Sequence, residues 1–180
     1  MPQVEIITTY LEMRSADGLM PSSNSGLNIL EATAPCPELN RFLYSAVGGH
    51  YYWLGRLTWS YQQWLDYLSQ DSVRTWVGYV RGNPAGYFEL LRENSDVEIV
   101  YFGLLPQFHG QGHGGYLLSE AIRNAWAWQA TRVWVHTNNL DGPYALRNYQ
   151  SRGFTIYDET REFHDLPDTS VGPWPGWQST

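Results

Sequence analysis

Four of the seven residues in His109-Gly110-Gln111-Gly112-His113-Gly114-Gly115 are glycine, and the segment separates a strand-like run from a helix-like one. Glycine lets the backbone curl so that successive N–H groups converge. At a helix start those groups add to the positive end of the helix dipole and bind an anion. The segment therefore reads as a phosphate cradle, and it fixes a strand–loop–helix order around itself.

The runs on either side supply the rest of the fold. Val4 to Met13 has the apolar and β-branched content of a strand, and Asp17 to Asn28, rich in Gly, Ser, Asn and Pro, reads as a loop. Helices are expected over 37–47 and 60–69, the second with Tyr61, Trp64, Leu65 and Leu68 at helical spacing. Strands follow over 74–81, 85–92 and 96–105, joined by Gly82-Asn83-Pro84 and Glu93-Asn94-Ser95 as an antiparallel meander. After the cradle come a helix from Tyr116 to about Gln129, a strand over 132–137 and a helix starting near Pro143, where proline is favoured. A last strand spans 154–163. The expected architecture is a mixed α/β (α+β) sheet, mostly antiparallel and flanked by helices, in one domain over 1–163 with an irregular tail over 164–180.

Composition excludes several classes. The net charge of −7 and the lack of clustered basic residues argue against a nucleic-acid surface. All eleven basic residues are arginine. No apolar run has membrane-spanning length and the N-terminus lacks signal-peptide features, so a cytoplasmic protein with no membrane partner is expected. Cys36 is the sole cysteine, which rules out an internal disulfide. His109 and His113 stand four apart, yet no third ligand lies near, so no metal is expected. A homodimer is left open.

Two phosphate-binding families could use the cradle. Gly110-x-Gly112-x-x-Gly115 satisfies the dinucleotide fingerprint, but the loop follows an antiparallel meander, and the next strand ends His136-Thr137-Asn138 without the ribose-binding acid. The second family fits more of the chain. Gly112 and Gly114 fall on the glycines of the loop of the GNAT superfamily of acyl-CoA N-acyltransferases, with His109 where glutamine or arginine is usual. Glu98-Ile-Val-Tyr-Phe-Gly-Leu-Leu-Pro resembles the family's fourth strand. Ala145-x-x-x-Tyr149-x-x-x-Gly153-Phe154 is similar to its Ala…Tyr…Gly-Phe ending.

The resemblance implies an enzyme that moves an acetyl (acyl) group from acetyl-CoA to a primary amine by direct attack in a ternary complex, with no metal. The pyrophosphate would lie on His109 to Gly115 (with Gln111 and His113 included), and Gly103, Leu104 and Leu105 would offer backbone groups to the pantetheine arm. Glu98 is the expected base, with His136 as the alternative because histidine titrates near neutrality. Tyr149 is the expected acid for the departing thiolate. Simple alternation puts Glu98, Val100 and Phe102 on one strand face, with Ile99 and Tyr101 on the other, unless a bulge intervenes. Tyr51, Tyr52, Trp53, Trp59, Phe102 and His136 are the expected acceptor contacts, for a small amine of aromatic or amino-acid-like character. The alternatives are a protein or peptide N-acetyltransferase and a non-catalytic acyl-CoA sensor.

Overall fold

A computed structural model describes residues 3–174; Met1, Pro2 and the far end of the tail, 175–180, lie outside the described residues. Seven strands form one sheet in the order β2-β3-β4-β5-β6-β1-β7. They are β1 (Gln3–Met13), β2 (Asn28–Glu31), β3 (Val73–Val80), β4 (Asn83–Glu93), β5 (Asp96–Leu104), β6 (Arg132–Asn138) and β7 (Thr155–Asp165). Every neighbouring pair is antiparallel except β5 and β6. Four helices flank the sheet: α1 (Pro37–Gly48), α2 (Tyr61–Leu68), α3 (His113–Ala127) and α4 (Ala145–Ser151). Among the described residues no helix is long and apolar enough to cross a membrane.

The meander has tighter geometry than expected. Arg81 and Gly82 both take positive φ, 50° and 82°, and alone make the two-residue hairpin turn, while Asn83 and Pro84 belong to β4. β4 is the central strand of the meander, and all its residues from Ala85 to Leu90 are buried, including Glu89. One face of the sheet packs on α3 through Leu117, Leu118, Ala121, Ile122 and Ala125, with Leu90, Val97 and Ile99 opposite them. Each such fully buried aliphatic side chain contributes roughly 1.5–3 kcal/mol. The other face packs on α1, whose Leu43 and Val47 meet Val77 and Tyr87.

Two features depart from the sequence expectations, and a third was not foreseen. Asn28–Glu31 is an edge strand on β3 where a loop was expected to end. α3 begins at His113, because Gly112 takes the left-handed conformation (φ 80°) as its N-cap and the first turn follows at once. The N-terminal strand β1 does not join the meander. It runs between β6 and β7, with Thr8 opposite Asn138 on one side and Thr160 on the other. Beyond β7, residues 166–174 have no helix or strand, and the Gly172 N–H donates to the Gly49 carbonyl at 3.2 Å.

Candidate active site

β5 and β6 pair only from Asp96 to Glu98, opposite Arg132 to Trp134. Past that point they separate, and one side of β5 from Val100 to Leu104 has no strand neighbour. The gap opens into a cleft of about 950 Å³ between the Gly-rich loop, α4 and the segment after α1.

A bulge sets which side chains enter it. Glu89 pairs with Tyr101 and Leu90 with Ile99, so Val100 is the extra residue. The strict alternation expected for this strand therefore breaks at Val100. Phe102 packs with Ile99 on the α3 face, and Tyr101 packs on the α1 face. Phe102 then stands beside Tyr149, with ring centroids 6.0 Å apart.

At the loop end, Gly110, Gly112, Gly114 and Gly115 line the cleft with His109, Arg147 and Arg152. The His109 Nε2 meets the Leu104 carbonyl at 3.0 Å, tying the loop to the end of β5. The Asn148 amide donates to the Gly114 carbonyl at 3.3 Å. Arg152 reaches the first turn of α3: a Cβ on Gly115 would lie 2.7 Å from its Nη1 and 3.0 Å from the Ser22 hydroxyl. Three of the residues expected at the cofactor stand elsewhere. His113 is buried, with Nδ1 2.7 Å from the Ser25 hydroxyl, under the loop that follows Gly18. Gln111 turns back to donate to the Gln107 carbonyl, and the Leu105 N–H is taken by the Ala85 carbonyl. Among the described residues no three His, Cys, Asp or Glu side chains converge as a metal site.

At the other end the walls are aromatic. Tyr44, Tyr51, Tyr52, Trp53 and Tyr101 line it. Trp53 sits 4.8 Å from Tyr101 and 5.6 Å from Tyr44, ring to ring, and lies against Gly48, which has no side chain to displace it. Tyr52 holds φ at 59°, a conformation uncommon for a bulky residue and one that cleft walls tolerate when their surroundings fix it. Trp59 does not reach the cleft; it covers the Arg56 guanidinium at 4.6 Å.

Arg56 explains how this wall is held. Its Nη1 donates to both oxygens of Glu89 at 3.0 Å, the Tyr67 hydroxyl donates to the same carboxylate at 2.6 Å, and the Arg56 backbone N–H donates to the Tyr44 hydroxyl. Trp59, Trp64, Tyr67 and Tyr101 pack their rings about the guanidinium. Burial and the Glu89 charge push the Tyr67 phenol far up, so it stays a donor. A buried ion pair satisfied this fully pins the loop after α1 to the centre of the sheet.

The two expected bases stand together. His136 Nδ1 lies 3.2 Å from a Glu98 oxygen; His136 is on the cleft wall, and Glu98, only 13% exposed, lies behind it. Tyr149 lines the cleft from α4; its carbonyl accepts from the Arg152 and Phe154 N–H groups, and its hydroxyl makes no hydrogen bond among the described residues. Burial first, and then the charge of Asp141, raise its phenol far above the ordinary value. It is therefore protonated at neutral pH. Sequence reasoning missed Arg56, Glu89, Asp141, Arg147, Asn148 and Arg152. Only the Arg56–Glu89 pair lacked any signal, because charges read as surface. The others lie within or beside the Ala…Tyr…Gly-Phe stretch.

Comparison with known proteins agrees with this geometry. The family model "Acetyltransferase (GNAT) family" matches residues 36–154. Uncharacterized N-acetyltransferases of Mycobacterium bovis and Mycobacterium tuberculosis are each 37% identical over 83 residues, which is 46% of this chain and 52% of theirs. The chain thus spans about half the length of the curated relatives it matches. A GCN5-related N-acetyltransferase from Kribbella flavida superposes with a TM-score of 0.65 at 16% identity, over 92% of this chain and 60% of that one. A GNAT family acetyltransferase from Elizabethkingia anophelis, solved with acetyl-CoA bound, gives 0.57 at 24% identity, over 75% and 80%. The match runs from the residue before α1 to the residue before β7 and takes in every wall of the cleft but the N-terminal loop, so the chain belongs to the GNAT acetyltransferase family.

Proposed function

We propose that this chain transfers an acetyl group from acetyl-CoA to the primary amine of a small acceptor, by direct attack in a ternary complex. The observation that carries the reading is the division of one cleft into two ends. Glycines and Arg152 at the first suit the phosphates of acyl-CoA, and aromatic walls with Asp141 and His136 at the second suit an amine. Between them, the unpaired side of β5 offers alternate backbone groups to a pantetheine arm as an added strand would.

The chemistry follows from what each residue can hold or give. An alkylammonium has a pKa of about 10.4 and must lose a proton before it attacks. Glu98 accepts from His136 Nδ1–H, which leaves the lone pair on Nε2 to take that proton. A backbone N–H at the Val100 bulge would steady the thioester oxygen as negative charge develops on it. The nitrogen–carbon bond forms, the carbon–sulfur bond breaks, and Tyr149 gives its proton to the thiolate; the second proton, which the nitrogen sheds on becoming an amide, is taken up by the tyrosinate and restores the phenol. The raised pKa of Tyr149 keeps its proton in place until the thiolate forms.

Calorimetry with acetyl-CoA and a thiol-release assay over an amine panel test this. Binding with thiol release is expected. NAD binding without acyl-CoA affinity overturns it, and acyl-CoA binding with no acceptor among the panel favours a sensor. His136→Asn is expected to lower kcat by about 10²–10⁴ and remove the acid limb of the pH–rate profile. Tyr149→Phe should lower kcat while acetyl-CoA affinity stays. A profile unchanged in His136→Asn moves the base elsewhere.

A further inference from the structure

The proposed transfer gives one cleft carboxylate no part in moving protons or the acyl group. Asp141 lies in the turn after β6, and its two oxygens are used unequally. Oδ2 accepts from the Thr137 hydroxyl at 2.5 Å and from the Asn138 backbone N–H at 3.0 Å, and these two bonds build the turn. Among the described residues Oδ1 meets only the Trp53 indole N–H, at 3.5 Å, the outer limit of a hydrogen bond. No described arginine or histidine forms an ion pair with Asp141.

The surroundings of Oδ1 are aromatic. Trp53 stands on one side. The Tyr51 hydroxyl is close by, since a Cβ on neighbouring Gly142 would lie 3.1 Å from it. The Tyr51 phenol is raised by burial and then by the Asp141 charge, and Tyr149 is affected in the same order, so the carboxylate reaches both electrostatically. A carboxylate oxygen with a single long hydrogen bond, at the end of an aromatic cleft, is the complement of an ammonium group: the oxygen takes its N–H donors and the ring faces take its charge. Of the two arginines that line the cleft, Arg147 and Arg152, the guanidinium of Arg152 is beside Gly115 at the far end.

We propose that Asp141 Oδ1 is the recognition point for the positive charge of the acceptor, and that the acceptor is an apolar alkyl- or arylalkylammonium compound rather than an amino acid. This rests on the acetyl-transfer reading and narrows its substrate.

Two measurements on the full chain test it. The first needs no variant and no turnover: choline and its neutral isostere 3,3-dimethylbutan-1-ol are titrated while tryptophan fluorescence is followed. Choline is expected to quench or shift the emission saturably, with the isostere at least about tenfold weaker. Equal binding of the two, or none by choline, overturns the cation site.

The second uses Asp141→Asn, which keeps one carbonyl oxygen for the Thr137 and Asn138 bonds and presents an amide donor in place of Oδ1. The KM for 2-phenylethylamine should rise about ten- to a hundredfold, while the KM for acetyl-CoA is unchanged. In the unsubstituted protein, kcat/KM for 2-phenylethylamine should exceed that for phenylalanine. An unchanged KM in Asp141→Asn, or a preference for phenylalanine, refutes the assignment. Failure of acetyl-CoA to bind, with choline still bound, would sink the transfer reading and leave the cation site standing.

Discussion

Replacing Gly48 by alanine sets a methyl group against the indole of Trp53. The new Cβ would lie 2.0 Å from Cδ2 and Cε3 and 2.3 Å from Cγ, where an ordinary contact begins at 3.4 Å. The ring must therefore retreat by about 1.4 Å, toward Tyr101 and Tyr44, which already pack on it. Gly48 has φ −94° and ψ −11°, a conformation alanine adopts freely, so the penalty is steric and not one of the backbone. Overpacking of this kind costs about 1–3 kcal/mol. The better helix propensity of alanine returns up to about 1 kcal/mol. A net loss of about 1–2 kcal/mol lowers the melting temperature by roughly 2–8 °C in a chain of this size. The larger effect is expected at the acceptor end, where Trp53 leaves its place beside Asp141 and the KM for amines rises while that for acetyl-CoA does not. Thermal denaturation and steady-state kinetics read both. Gly55→Ala, whose methyl meets nothing within 4 Å, gives the baseline for the melt. A Gly48→Ala protein that melts higher than the parent and keeps its amine KM would refute the argument that this glycine exists to admit the indole.

Arg56→Met leaves Glu89 buried without its counter-charge and should cost about 3–5 kcal/mol, whereas the double change Arg56→Met with Glu89→Met should recover much of it; thermal melts decide, and a loss no greater than for a surface arginine counts against a buried pair. Hydrogen bonds from Arg14 and Arg132 hold Glu12 below the ordinary carboxylate range. The unfolded chain then binds that proton first on acidification, so stability present above the ordinary carboxylate pKa of about 4.3 is lost as pH falls through the lower folded value. Glu12→Gln should flatten that acid slope of the melting temperature and cost no more than about 1 kcal/mol of stability at neutral pH.

Much of the scaffold was legible because local pattern determines it. The meander announces itself by alternation and short polar connections, and α3 by Leu117, Leu118, Ala121, Ile122 and Ala125 on one face. Its start was placed three residues late because glycines read as loop, although the first turn of a helix has no i→i−4 bonds to lose. What escaped depends on contacts distant in sequence. Nothing in Val4–Met13 says that it pairs with β6 and β7, because a strand's periodicity names its faces and not its neighbours. The Val100 bulge is invisible for a related reason: alternation assumes one residue opposite one residue. Glu98 and His136 were alternatives in the sequence and became a pair only once β5 and β6 lay side by side. Asp141 looked like an ordinary turn residue, which one of its oxygens is.

The place of β1 sets an order of events during synthesis. About 120 residues separate Met13 from Arg132, the start of β6, and β7 follows later still. At roughly 5–20 residues per second, β1 waits some 6–24 s for its nearer partner. Throughout that time the β2–β5 meander can close on its own local contacts, while an apolar eleven-residue strand stays exposed. Completion of the sheet, and with it the β6 wall that carries His136, is thus a late step that joins the two ends of the chain, and it is the step at which a holdase would be most useful.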